Sequence, residues 1–168
     1  MKSLIKIISI CAVAFSFTAH AQDGGTRIGR ETHLPIPRYV SLNSFEANMR
    51  HGPSLDYPID WVYNLRGLPL RIIGESGHWR KVEDFEGVKG WLHYALLSGN
   101  RNILVTAEKT AVNKDASQNS RVVAILQKNV VAKVDQCVID WCEVEVEDSK
   151  GWVEKKDIWG VDADEVFE

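Results

Sequence analysis

A chain of 168 residues that is 45% hydrophobic and 26% charged, with 20 Lys and Arg against 23 Asp and Glu, has ordinary globular composition. Collagen-like repetition and wholesale disorder are excluded, and a formal net charge of -3 argues against a basic nucleic-acid binder. Six Trp and twelve Gly beside only two Met point to short strands and tight turns rather than long helices.

At the N-terminus, Lys2 and Lys6 lead into an uncharged apolar stretch, Ile7 to Phe17, which is too short to span a bilayer. It ends in Ala19-His20-Ala21, small residues where a signal peptidase needs them, followed by polar Gln22-Asp23-Gly24-Gly25. Residues 1–21 therefore read as a secretory signal cleaved after Ala21, which makes the mature protein periplasmic or secreted. Cys11 lacks the small-residue context that lipid attachment requires, so no membrane anchor is expected after cleavage. Residues 22–33 are expected to be a flexible mature N-terminus. Cleavage removes two Lys and no acid, leaving 18 positive and 23 negative side chains, net -5. From Arg27 to Asn100 there are nine basic and eight acidic residues, and from Arg101 to Glu168 nine and fourteen, so the second half is the acidic one.

Two segments of the mature chain repeat. The first runs through Asn48 to Ser54, Val62 to Leu65, Leu68 to Ile73, Trp79 to Val82 and Gly90-Trp91-Leu92. The second runs through Val112 to Ser117, Val123 to Leu126, Val130 to Val134, Trp141 to Val144 and Gly151-Trp152-Val153. The offset is 61 at Leu65/Leu126, 62 at Trp79/Trp141 and 61 at Gly90/Gly151, a spacing that marks two copies of one unit. The domains predicted are 34–100 and 101–161, with 162–168 as an acidic C-terminal tail.

Within each copy the residues alternate as strands do. In Trp141 to Glu147, Cys142, Val144 and Val146 share one face, while Trp141 and three Glu share the other. Leu68 to Ile73 and Val130 to Val134 are aliphatic runs bounded by polar or Gly-containing loops. Val122–Leu126, Tyr94–Leu97 and Lys155–Ile158 are left open as short helical turns. Five short strands in about 60 residues predict a small antiparallel β-barrel per copy, and hence an all-β chain with two such barrels in tandem.

These residues resemble secreted bacterial proteins with two tandem SH3-like (SH3b) domains. Leu34 to Leu42 is similar to the family's opening strand, Asn48-Met49-Arg50-His51-Gly52-Pro53-Ser54 to its Asn-x-Arg-x-Gly-Pro turn, and Gly90-Trp91-Leu92 to its closing strand. The second copy keeps Gly151-Trp152-Val153, but Asn113 to Ser117 lacks the Arg, Gly and Pro, which questions ligand binding there more than fold. Ile158-Trp159-Gly160-Val161 is similar to the close of such two-copy proteins. The resemblance implies a non-enzymatic module of the cell envelope whose partner is a cell-wall peptide or an envelope protein. The alternative is a structural or assembly subunit that docks on another envelope protein through its acidic half and its tail, Asp162 to Glu168.

Strand alternation turns Val82 and Val144 inward, so Trp79 and Trp141 point outward, either to a ligand or to the sister domain. The resemblance places a Trp at this point on a peptide-binding surface, with Arg50 beside it and Tyr57, Trp61, Tyr63 and Tyr94 adding aromatics in the first copy. Trp91 and Trp152, each next to Gly, are expected in the core. Cys137 and Cys142 flank a hairpin loop in an exported chain, which predicts a disulfide that adds about 2 kcal/mol in the chain-entropy model. His33, His51, His78 and His93 read as solvated loop residues, no metal spacing, nucleophile elbow or phosphate loop is present, and no cofactor is expected.

Overall fold

The computed structural model describes residues 26–168, so the apolar stretch and the cleavage point after Ala21 lie outside the described residues. A two-stranded hairpin, β1 (Arg27–Ile28) and β2 (Pro35–Ile36), comes first. The first repeat is built from β3 (Arg38–Leu42), β4 (Ala47–Arg50), β5 (Ile59–Tyr63), β6 (Pro69–Ser76), β7 (Trp79–Glu83), β8 (Lys89–His93) and β9 (Leu97–Ser98). The second uses β10 (Asn102–Val105), β11 (Lys109–Asn113), β12 (Val122–Gln127), β13 (Val131–Cys137), β14 (Trp141–Val146), β15 (Ser149–Glu154) and β16 (Ile158–Trp159). Single 3-10 turns at Tyr94–Leu96 and Lys155–Asp157 precede the last strand of each.

The antiparallel sheet orders are β5-β4-β8-β7-β6-β3-β9 and β12-β11-β15-β14-β13-β10-β16, identical strand for strand. The all-β tandem architecture predicted from the repeat is thus present, with two corrections. Each repeat has seven strands rather than five, and the sheets are not closed barrels, because β5 and β12 stay at an edge. Val122–Leu126, left open as a helical turn, belongs to strand β12.

Both repeats carry the same irregularities. A bulge lies between Met49 and Arg50 and again between Val112 and Asn113; another lies between Ile72 and Gly74 and again between Val134 and Gln136. Met49 faces Trp61 as Val112 faces Ala124, so the buried counterpart of Leu126 is Tyr63, not Leu65. The sequence offset slipped by two because the inward residue changes from aromatic to aliphatic between copies.

Gly90 and Gly151 sit where β8 and β15 cross the bulged ends of β4 and β11. A Cβ on Gly151 would lie 2.5 Å from the Asn113 carbonyl oxygen, and one on Gly90 would lie 2.6 Å from Met49 Cγ. These glycines face inward with Leu92 and Val153, which turns Trp91 and Trp152 to the opposite, partly exposed face. The two tryptophans are therefore not core residues, contrary to expectation, because strand alternation puts the glycine inside. Gly151→Ala should lower stability by about 2 kcal/mol in urea denaturation. Gly90→Ala should cost less, since the Met49 side chain can shift.

One core holds Leu42, Met49, Leu70, Ile72, Val82 and Leu92, and the other Ile103, Val105, Val112, Val144 and Val153. Leu104 breaks the partition. It belongs to β10 of the second repeat, yet it points away from Ile103 and Val105 and packs in the core of the first. Around it, Tyr39 meets Trp159 edge to face at 5.2 Å, Asn102 Nδ2 donates to the Gly67 carbonyl (2.8 Å), and Arg71 faces Asp162 at 3.7 Å. The aromatic contact between repeats is thus Tyr39–Trp159, and neither Trp79 nor Trp141 supplies it.

Both ends of the described chain dock on equivalent places. The β1–β2 hairpin binds Glu75: the Glu31 and Thr32 amides and Thr32 Oγ1 all donate to its carboxylate. From Arg27 onward the expected flexible N-terminus is therefore an ordered hairpin. At the other end Phe167 exchanges backbone hydrogen bonds with Cys137, and Glu165 receives both terminal nitrogens of Arg101, at 2.8 and 2.9 Å. Residues 162–168 are thus a docked segment whose Asp162 and Glu165 are engaged within the chain, rather than a tail reaching outward. Cys137 and Glu75 occupy the same register position, as their partners Cys142 and Arg80 show. A disulfide closes the β13–β14 hairpin, as the spacing predicted, where a buried Glu75–Arg80 ion pair at 3.7 Å closes the β6–β7 hairpin.

Candidate functional site

Alternation along β7 buries Arg80 and Val82 and turns Trp79 outward with Lys81 and Glu83. Trp79 pairs across the sheet with His93 at the end of β8, and the two rings meet edge to face at 5.6 Å. Together with Glu46, Asn48, Arg50, Leu55 and Leu96 they line a cleft of about 170 Å³ between β4, the β4–β5 loop and the 3-10 turn.

The loop wall is held from inside. Arg50 Nη1 donates to the Leu55 and Tyr57 carbonyls (3.1 and 2.6 Å), and the Tyr57 ring lies over Gly52, where a Cβ would meet it at 2.6 Å. The Asn-x-Arg-x-Gly-Pro run is therefore a loop brace: Arg50 satisfies carbonyls and Gly52 leaves room for the ring. Asn113 stands at the position of Arg50, since the two face Trp152 and Trp91, and its Nδ2 donates to the Ser117 carbonyl at 2.9 Å. The second repeat lost the sequence motif but kept a side-chain donor that braces the same loop.

Its cleft is kept too, and is larger. Trp141, outward at the start of β14, lines a cavity of about 700 Å³ with Ser117, Gln118 and Asn119 of the loop, Ile139 and Asp140 of the hairpin turn, and Glu154 and Lys156. Gln118 Nε2 donates to Glu154 (2.8 Å), which also pairs with Lys156 and is held below the usual carboxylate range chiefly by that hydrogen bond. Lys155, buried at the back of the cavity, donates to the Ala163 and Glu165 carbonyls. The Cys137–Cys142 disulfide fixes the turn between Ile139 and Trp141. All four tyrosines lie before residue 101, which points to the first repeat as the aromatic one, whereas the larger cavity surrounds Trp141 in the second.

The candidate residues separate into groups. Trp79 and Arg50 line the first cleft, Tyr57 braces its loop, and Trp141 lines the second. Tyr94 stands beside the first cleft, exposed, with its ring 4.8 Å from that of His93 and 5.5 Å from that of His78. Trp61 lies on the edge strand β5 and is 48% exposed. Tyr63 does not belong with them. It is 6% exposed, its hydroxyl donates to Asp84 (2.8 Å), and burial followed by that carboxylate drives its pKa far up, so it is a core residue. His93, expected in a loop, is a strand residue of the cleft, and the signal available was alternation along Gly90-Trp91-Leu92-His93, which turns it to the face opposite Leu92. Among the described residues, no group of three or more His, Cys, Asp or Glu is arranged to hold a metal ion.

Two copies of one sheet order, each with a braced loop facing an outward tryptophan, define a class of small β-sheet binding domain. The family model for the bacterial SH3 domain matches residues 44–99 and again 107–160, and the chain belongs to that family as a tandem pair. Bacterial SH3 domains are generally binding modules for cell-wall or protein partners. No curated protein matches the chain. Among solved structures, the chain is similar to NlpC2 from Trichomonas vaginalis at 8% identity and a TM-score of 0.35, over 73% of this chain and 48% of that one. It is also similar to an NlpC/P60 family protein from Bacillus cereus at 14% identity and a TM-score of 0.33, over 72% and 55%. The chain spans about half the length of the structures it matches.

Proposed function

We propose that the protein is an exported, non-enzymatic binding module of the bacterial envelope that recognises a cell-wall peptide or a protein partner through the aromatic surface of its first repeat. The observation that carries this reading is the cleft itself: Trp79 and His93 opposite a loop whose shape is set from within by Arg50 and Gly52. A preformed aromatic cleft with a few polar groups holds a ligand by stacking and hydrogen bonding at a reduced ordering cost. Export is supported by the Ala19-His20-Ala21 context and by a disulfide, a bond that persists in oxidising compartments. The alternative, an assembly subunit, loses the tail part of its expected contact, because Glu165 and Phe167 are engaged inside the chain.

Co-sedimentation with purified peptidoglycan tests the reading. The wild-type chain and Trp152→Ala, a change in the second repeat, should be retained, and Trp79→Ala should bind at least about 30-fold more weakly, the loss typical of an aromatic anchor. Equal retention of all three, or of none, refutes recognition through this cleft.

A further inference from the structure

Among the described residues each seven-stranded sheet ends in a two-residue strand, β9 or β16, on one side and in a longer strand, β5 or β12, on the other, and these two longer edges are structural equivalents. Each pairs with one neighbour only, β4 or β11, and each leaves its outer row of backbone amides and carbonyls without a strand. Such an edge is a template for another strand, and soluble proteins normally blunt it with charge or proline. Here both edges are apolar and exposed: Ile59, Trp61 and Val62 on β5, and Val122, Val123 and Ile125 on β12.

Their charges are opposite. Residues 46–65, the β4–β5 hairpin, contain three carboxylates (Glu46, Asp56, Asp60) and one arginine, and Arg50 is committed to the loop carbonyls. The equivalent residues 109–128 contain four bases (Lys109, Lys114, Arg121, Lys128) and one carboxylate, Asp115, although they lie in the more acidic half of the chain. Lys114 and Arg121 form no ion pair among the described residues, Lys128 pairs with Glu108, and Asp60 faces only His51, at 3.2 Å. Asp60 lies on β5 and the other charges flank the two strands, so the fields around the edges repel like from like. That disfavours β5 against β5 or β12 against β12 and favours the mixed pairing.

We infer that the occupant of each edge is a second copy of this chain, with β5 of one copy adding to β12 of the next. Ile59 and Val62 would then meet Val122 and Ile125, while Asp56 and Asp60 approach Lys114 and Arg121. If both edges meet the same neighbour the pairing closes as a two-fold dimer; if not, it continues into a ring or filament. In either case one assembly presents several Trp79 clefts to the same surface, which raises avidity without new contacts to the ligand.

The test uses the protein in the form that accumulates in cells and charge reversals at exposed positions, which leave the core untouched. In sedimentation velocity from about 1 µM to about 1 mM, the wild-type chain should associate with rising concentration, and added salt should weaken that association. The variant D56K/D60K and the variant K114E/R121E should each associate at least about tenfold more weakly. Mixed in equal amounts they should assemble again, because a basic β5 then meets an acidic β12. A wild-type chain that stays monomeric, single variants that associate as well as wild type, or a mixture that fails to assemble overturns the inference.

Discussion

Replacing Glu75 with Ala releases the β1–β2 hairpin and lowers the stability of the first repeat by about 3–5 kcal/mol, the cost of breaking a buried ion pair. The Glu75 side chain is 1% exposed; Thr32 Oγ1 donates to it at 2.6 Å and Arg38 Nη2 at 2.9 Å, and Arg80 lies alongside. Burial pushes the carboxyl up, but the hydrogen bonds from Thr32, Arg38 and the Glu31 amide outweigh it and hold the group at about 2. The folded-state pKa is therefore depressed from 4.5, so the stabilisation is complete above about pH 4.5 and is lost as pH falls towards 2. The depression corresponds to about 3 kcal/mol. Urea denaturation at neutral pH should separate wild type from Glu75→Ala by that order, and near pH 2 the gap should shrink. A gap that stays constant with pH would place the cost in lost packing rather than in the charge.

Leu104→Ala should cost about 2–5 kcal/mol, the range for a fully buried leucine, and it should weaken both repeats at once. Leu104 is 1% exposed and belongs by sequence to the second repeat while packing against the core of the first. Strand β10 is thus buried on both faces, with Ile103 and Val105 serving one repeat and Leu104 the other. Wild type should melt in a single transition because this strand and the Tyr39–Trp159 contact couple the repeats. The variant should melt earlier, and as two transitions if the coupling is lost. Calorimetry that finds two independent transitions in the wild-type chain would refute the coupling.

What sequence could reach depended on how local the information was. Trp79/Trp141 and Gly90/Gly151 revealed the repeat because they hold positions that both sheets need: an outward ring at a strand start, and a crossing with no room for Cβ. Cys137 and Cys142 were legible because the hairpin that joins them lies within their own short spacing. The same alternation that placed Trp79 outward would have placed Trp91 and Trp152 outward, had the neighbouring glycines been read as inward-facing. The burial of Tyr63 is not legible locally, because the hydrogen bond that satisfies its hydroxyl reaches Asp84 across 21 residues. The docked ends were invisible for the same reason. Thr32 finds Glu75 across 43 residues, and Phe167 pairs with the strand that carries the disulfide. The larger cleft escaped because its brace changed from Arg50 to Asn113, preserving a donor to the loop carbonyls while erasing the motif.

Recognition through the outward tryptophans is tested most directly by titrating the ¹⁵N-labelled protein with soluble peptidoglycan fragments and following the indole N–H signals. The Trp79 signal should shift in a saturable way, while those of Trp152, on the second repeat, and Trp159, between the repeats, should stay in place. An unmoved Trp79 signal, with the shifts confined to other tryptophans or absent altogether, would contradict binding of cell-wall peptide at this site.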